Sequence, residues 1–343
     1  SVASSVVTLF AQARGHSILG FDHYALGLRV ANALISYLGY IGQTIWPIRL
    51  APFYPLSLLD LSWWKIVGAL LLLGVISLTV LRTAKWHPYL ATGWLWYLGA
   101  LVPVIGLIQV GAQSMADRYT YVPLIGIFVI VAWGFVAVIE RWPAARRLAA
   151  VSACLLLAVL ALLTRIQLGY WHNTVALFQH TLEVTRDNWL AHNNLGAALE
   201  AAGMEAEAVH HYEEALRIKP NSARARANLG NALMNRGKLE EALAAYDRAR
   251  HEKTDFPELH YNRGTALLRM GRDQEAIEEL RHALTMRPDY ADAYLNLGAA
   301  LEKQNRLAEA AENYQQALRI RPDFAGGHNS LANVLARMGR LNE

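Results

Sequence analysis

The sequence predicts an all-α protein: a polytopic transmembrane helix bundle followed by a solenoid of short paired helices. Three observations carry this. Charge is divided unevenly, with 11 Lys/Arg and 4 Asp/Glu in residues 1–171 against 21 and 24 in 172–343. Several segments of the first half are long and apolar with basic flanks, as lipid-crossing helices are. The second half repeats itself every 34 residues, the length of two helices and their turns. The change falls at 148–171. Residues 148–164 are apolar apart from small Ser, Cys and Thr, lie between Arg147 and Arg165, and lead into Tyr170 and Trp171. As a helix they rise roughly 25 Å, and arginine stems reaching outward at both ends make up the difference from the hydrocarbon core.

This division sets the domains: 1–171 multispanning, 172–343 repetitive. The formal net charge of +4 conceals +7 in the first domain and −3 in the second. A sparse positive excess belongs to loops beside lipid, so no nucleic-acid partner follows from it. The single cysteine, Cys154, lies within an apolar segment and excludes disulfides and Cys-based metal sites. There is no HExxH, phosphate loop or GxSxG, and His210–His211 reads as solvated helix face; neither a metal nor a cofactor is indicated. Both ends read as cuts. The chain opens at Ser1 inside an apolar run without the basic start of a signal peptide, and closes inside a repeat.

In chain order, 1–11 reads as the tail of a span and 14–23 as a polar connector. Residues 24–46 are mostly apolar, with Arg29, Asn32, Ser36 and Gln43 on one helical face. That stripe suits either an interfacial helix or a span turned toward a cavity. The connector 47–65 holds three prolines, Arg49, Asp60 and four aromatics, and reads as an ordered surface loop. Spans follow at 66–81, 88–116, 119–139 and from 148, with Pro103 and Gly106 predicting a kink or break in the second of these. Arg82 and Lys85 share a side with Arg141, Arg146 and Arg147. That side is expected to be cytoplasmic, which leaves the loops 47–64 and 114–121 and the repeats facing away from the cytoplasm.

The repeat is regular. Gly196, Gly230, Gly264 and Gly298 recur at the period, as do Ala208, Ala242, Ala276 and Ala310. Tyr212, Tyr246 and Tyr314 share a register in which Leu280 substitutes. Small residues belong where two helices approach and a large ring fills the gap beside them. Gly203, Gly237, Gly271 and Gly339, with Asn305, suit turns of positive φ, and Pro220, Pro288 and Pro322 suit unit ends. Thr254 interrupts that series. The pattern is that of the tetratricopeptide repeat. Units run 189–222, 223–256, 257–290 and 291–324, with a partial unit at 325–343 and a capping half-unit at 172–188, Phe178 taking the aromatic place. Asn194, Asn228, Asn262 and Asn296 fall on the first helix of each unit, near Arg224, Asn231, Tyr261 and Arg269. A primary amide donates and accepts together, so this ladder is a candidate for holding an extended polypeptide. Bonds between neighbouring helices would use the same residues.

The remaining cluster is 114–123, SMADRYTYVP. Asp117 and Arg118 lie together beside Tyr119 and Tyr121, and an arginine at a lipid boundary suits a phosphate. A structural Asp–Arg pair is the alternative.

The run R-x-x-N-A-x-x-S-Y leading to W-P-x-x-L-A-x-F-Y-P, then A-D-R-Y-x-Y-x-P and the repeats, resembles the transmembrane-and-tetratricopeptide-repeat protein O-mannosyltransferases and their bacterial relatives. The resemblance implies a GT-C glycosyltransferase fold and transfer of a sugar from a polyprenyl-phosphate carrier to protein outside the cytoplasm. It implies that Arg118, with Asp117, Tyr119, Tyr121 and Arg49, lies toward the carrier phosphate, while the solenoid presents a polypeptide acceptor. The family's catalytic acids lie in an early extracytoplasmic loop for which nothing before Asp22 here provides, so no catalytic residue is assigned. A non-catalytic membrane-anchored scaffold is the rival reading.

Overall fold

The computed structural model describes residues 25–55, 61–107, 113–252 and 255–340. The expectations for 1–23, including Asp22, and for Asp60 and Thr254 lie outside them. The chain divides into two compact units, Ser1–Ala191 and His192–Glu343. Both are built of helices; a two-stranded antiparallel ribbon, β1 Tyr54–Pro55 with β2 Gln113–Met115, ties two loops of the first.

The first unit contains α1 Leu26–Ile45, α2 Trp63–Thr83, α3 Pro88–Leu101, α4 Leu124–Arg141, α5 Arg146–Tyr170 and α6 Thr174–Val184. Among the described residues, three helices are long and apolar enough to cross a membrane: α2, α4 and α5. Leu155 and Leu157 of α5 are 64% and 65% exposed, a surface that water would penalise and lipid would not. Among the described residues of the segment expected to span at 88–116, the helix ends at Leu101. Pro103 follows directly and Gly106 has φ +92°, so the expected break is where the sequence placed it.

The polar stripe of α1 is turned inward: Arg29, Asn32 and Ser36 are buried. Arg29 donates to the Leu107 carbonyl at 2.8 Å and Asn32 to that of Ser114 at 3.3 Å. Tyr37 and Tyr97 bind α1 to α3, each hydroxyl donating to a carbonyl of the other helix, Leu98 at 2.8 Å and Tyr37 at 2.5 Å. Trp94 reaches Ser77 of α2 at 2.9 Å. Helices α3 and α4 meet backbone to backbone at Gly93 and Gly126: a Cβ on either would overlap the other's carbonyl oxygen. Such contact needs glycine on both sides.

The boundary between units falls beyond residue 171, because α6 packs into the first unit. Phe178 and Leu182 join Phe53, Ala116, Tyr119, Leu190 and Ala191 in one apolar cluster. The half-unit 172–188 thus has its aromatic packed beside the loops of the first unit.

In the second unit and its lead-in helix, first helices begin at Trp189, Ala223, Pro257, Ala291 and Ala325 and second helices at Glu205, Leu239, Asp273 and Leu307. The glycine–tyrosine register is the packing contact: a Cβ on Gly230 would lie 2.5 Å from the Tyr246 ring, and one on Gly298 2.6 Å from that of Tyr314. At Gly264 the neighbour is Leu280, 2.9 Å away. Gly237, Gly271 and Asn305 turn at φ +76°, +75° and +58°, freeing the chain to reverse into the second helix.

Candidate functional site

The candidate site in the first unit is assembled by tyrosines. Tyr40, wholly buried on α1, bridges both backbone groups of Ala116: it accepts from the amide at 3.0 Å and donates to the carbonyl at 3.4 Å. This pins the short turn Asp117–Tyr119. Asp117 then faces inward. Its Oδ2 accepts from the Ala51 amide at 2.6 Å and from the Tyr54 hydroxyl at 3.2 Å, while Oδ1 is buried without a partner. Burial pushes this carboxyl up to about 7, the two hydrogen bonds pulling the other way. Burial beside Asp117 also holds the Tyr54 hydroxyl firmly protonated, above its ordinary range. Arg118 points outward, donating to the Pro52 carbonyl at 3.3 Å and lying 5.0 Å over the Tyr119 ring. Asp117 and Arg118 therefore form no ion pair, and the structural-pair alternative does not describe this turn.

Two cavities flank it. The first, about 440 Å³, is largely apolar: Leu50, Leu124, Phe128, Leu168 and Trp171 line it, with Asp117, Arg118 and Tyr121 among its polar members. The second, about 450 Å³, gathers Arg49, Lys65 and Arg186 with Asn32, Ser36, Tyr54 and Ser114, and no carboxylate among the described residues lining it. None of its three cations makes an ion pair in the described residues. Lys65 stands in the first turn of α2, where free amides and the helix dipole add to the positive potential. The five residues expected together are thus divided. Asp117, Arg118 and Tyr121 line the first cavity, Arg49 the second, and Tyr119 packs under Arg118. Tyr54 stands between the cavities, bonded to Asp117 and to the Arg49 carbonyl at 2.8 Å.

Sequence reasoning missed Tyr40, Tyr54, Lys65 and Arg186. Tyr40 continues the stripe of Arg29, Asn32 and Ser36 at helical spacing, a signal that was present. Lys65 and Arg186 are 121 positions apart, and nothing local joins them.

Asp117 supports a pH prediction. Its folded pKa lies above the ordinary value near 3.9, so the folded state holds the proton over a window in which the unfolded chain has lost it. Stability from this group is present at about pH 4 and falls as pH rises through about 7. Asp117→Asn keeps an acceptor for Ala51 and Tyr54 and removes the charge. Thermal melts of the detergent-solubilised chain should show the variant more stable at pH 8 and equal at pH 4. A wild-type pH profile retained by the variant would assign the dependence elsewhere.

In the repeats, the asparagine ladder is half-buried and partly engaged. Asn228 donates to Asn193 at 3.0 Å and Asn296 to Thr265 at 3.0 Å, so both link neighbouring units. Asn194 accepts from Asn193 at 3.3 Å. Asn231 accepts from the Tyr246 hydroxyl at 2.6 Å. A second ladder, at the last residue of each first helix, also joins units: Asn235 to Glu200 at 2.9 Å, Arg269 to the Met234 carbonyl at 3.3 Å, Lys303 to that of Leu268 at 3.2 Å and Arg337 to Glu302 at 2.8 Å. Arg224 is exposed, and Tyr261 packs on Tyr290 with ring centroids 4.9 Å apart. Asn262 is half-buried.

Tetratricopeptide-repeat families match residues 174–223 and 261–325, and 199–263. Among curated proteins, the chain is 30% identical over 125 residues to "Protein O-mannosyl-transferase Tmtc3" of Drosophila melanogaster, which covers 36% of this chain and 14% of that protein. "Protein O-mannosyl-transferase Tmtc2" of the same organism is 27% identical over 122 residues, 36% of this chain and 13% of its own length. The chain thus spans a small part of these relatives, within their repeats. Among solved structures, MamA from Desulfovibrio magneticus RS-1 is 23% identical, covering 46% of this chain and 88% of that chain with a TM-score of 0.43. YrrB, described as a TPR protein with an unusual peptide-binding site, is 20% identical, covering 48% and 84% with a TM-score of 0.41.

Proposed function

We propose, from a chain whose repeat half resembles that of the transmembrane-and-tetratricopeptide-repeat O-mannosyltransferases, that this is the C-terminal portion of a membrane-embedded GT-C-type protein glycosyltransferase. In this reading it binds the phosphate of a polyprenyl-phosphate sugar donor, while its repeats engage a polypeptide acceptor or partner. The observation that carries the reading is the second cavity. Three cations that make no ion pair among the described residues converge there with hydroxyl and amide donors and a helix N-terminus, an arrangement suited to a phosphate. The neighbouring apolar cavity, beside two helices of membrane-crossing length, suits an isoprenoid chain, with Arg118 and Asp117 at its polar edge. By the distribution of Arg82, Lys85, Arg141, Arg146 and Arg147, both cavities and the repeats lie away from the cytoplasm. No residue of this chain is assigned a catalytic role.

The acceptor assignment rests on the repeating primary amides of Asn194, Asn228, Asn262 and Asn296, of which Asn228 and Asn296 also make inter-unit bonds, with Arg224 and Arg269 nearby. Those bonds themselves favour the scaffold reading, in which the ladder serves solenoid cohesion and the repeats bind partners without catalysis.

The test is donor binding by the solubilised chain, with a short-chain polyprenyl phosphate as probe. Arg49→Ala and Arg186→Ala should each weaken it roughly tenfold or more, as loss of a charge-assisted contact does. Loss confined to Arg118→Ala would move the phosphate to the apolar cavity, and no binding by the unaltered chain would remove the enzyme reading in favour of the scaffold.

A further inference from the structure

We propose that Asp255, His260 and His282 form a divalent transition-metal site of the zinc type where the repeat unit 257–290 meets the segment before it. One donor atom from each lies within 4.8 Å of the others. His260 Nε2 is 2.7 Å from Asp255 Oδ1, and His282 Nε2 is 3.5 Å from Asp255 Oδ2. Ligand atoms around a tetrahedral zinc with bonds near 2.0–2.2 Å stand roughly 3.3–3.5 Å apart, so small side-chain rotations bring this set to a common centre. Two imidazoles and a carboxylate select zinc, cobalt or nickel over calcium or magnesium, which take oxygen ligands.

A second observation points the same way. His260 is buried, and its Nδ1 is 2.7 Å from Glu279 Oε2. The other Glu279 oxygen accepts from Arg263 at 2.6 Å, and Arg263 also donates to Asp247 at 2.8 Å. A carboxylate held on Nδ1 fixes the tautomer that presents the Nε2 lone pair outward, the support that metal-bound histidines commonly have. Asp255 and His282 have side chains 49% and 52% exposed, which leaves a path for the ion and a position for water. The constellation is not a requirement of the repeat. In place of His260 and His282, the preceding unit carries Arg226 and Arg248 and the following one Tyr294 and Gln316. No local motif announces it, because the ligands come from an inter-unit segment and two helices.

The alternative occupant is a proton, with His260 as an imidazolium between Asp255 and Glu279. The untagged chain, stripped with chelator, separates the two when titrated with Co²⁺ and then Zn²⁺. One equivalent of Co²⁺ should bind, giving visible d–d absorption that Zn²⁺ abolishes. His282→Ala and Asp255→Asn should each weaken binding about tenfold or more while the metal-free melting temperature is unchanged. His211→Ala alters another close histidine pair, His192–His211 with Nδ1 atoms 3.1 Å apart, and should bind as the unaltered chain does. Absence of stoichiometric binding, full affinity in His282→Ala, or loss in His211→Ala alone would each overturn the site. None of these outcomes bears on the donor cavity.

Discussion

Leucine in place of Gly126 is expected to prevent the first unit from folding. A Cβ here would overlap the Gly93 carbonyl oxygen and lie 3.0 Å from the Tyr97 amide nitrogen. Neither is the end of a flexible side chain, so α3 and α4 must separate along their length. That separation would break the Trp96 hydrogen bond to the Val122 carbonyl at 2.9 Å and loosen the buried cluster of Tyr97, Leu101 and Ile105. Ordinary overpacking costs about 1–3 kcal/mol, and a backbone collision exceeds it. Gly126→Ala should weaken the unit in part. The measurement is the yield of monodisperse protein after solubilisation, with thermal aggregation as the second readout. Unaltered yield and melting for the leucine variant would show that α3 and α4 do not meet here.

Tyr246→Ala is expected to be the most disruptive single change in the repeats. The ring is wholly buried, lies against Gly230 where no side chain replaces it, and donates its hydroxyl to Asn231 at 2.6 Å. Truncating a buried aromatic costs about 3–5 kcal/mol, whereas Tyr246→Phe removes only a hydrogen bond, about 1 kcal/mol. A solenoid sums nearest-neighbour contacts, so the loss should be local. Amide hydrogen exchange followed by peptide should accelerate across 223–256 and its neighbours and leave 291–324 protected. Uniform acceleration, or none, would contradict the pairing of Gly230 with Tyr246.

The glycine–tyrosine contacts were legible because both partners recur at one period and helix packing within a unit is local in sequence. The break at Pro103 and the positive φ of Asn305 were legible for the same reason, each resting on the residue that occupies the position. The inward polar stripe of α1 was legible as a stripe. Which way it faced was not, since an interfacial helix and a cavity-lining one share the same spacing.

Sequence by itself determined the all-α class, the 34-residue unit and the individual residues at its helix contacts. These follow from periodicity, backbone preference and the transfer of apolar side chains, all of which act over a few turns. Tertiary structure alone decided that Asp117 turns in while Arg118 turns out, through the grip of Tyr40, Ala51 and Tyr54. It also decided that Arg49 stands with Lys65 and Arg186 rather than with Arg118, and that His260 meets Asp255, His282 and Glu279. Convergence of separated segments depends on which faces the packed helices present to one another, and no spacing along the chain encodes that.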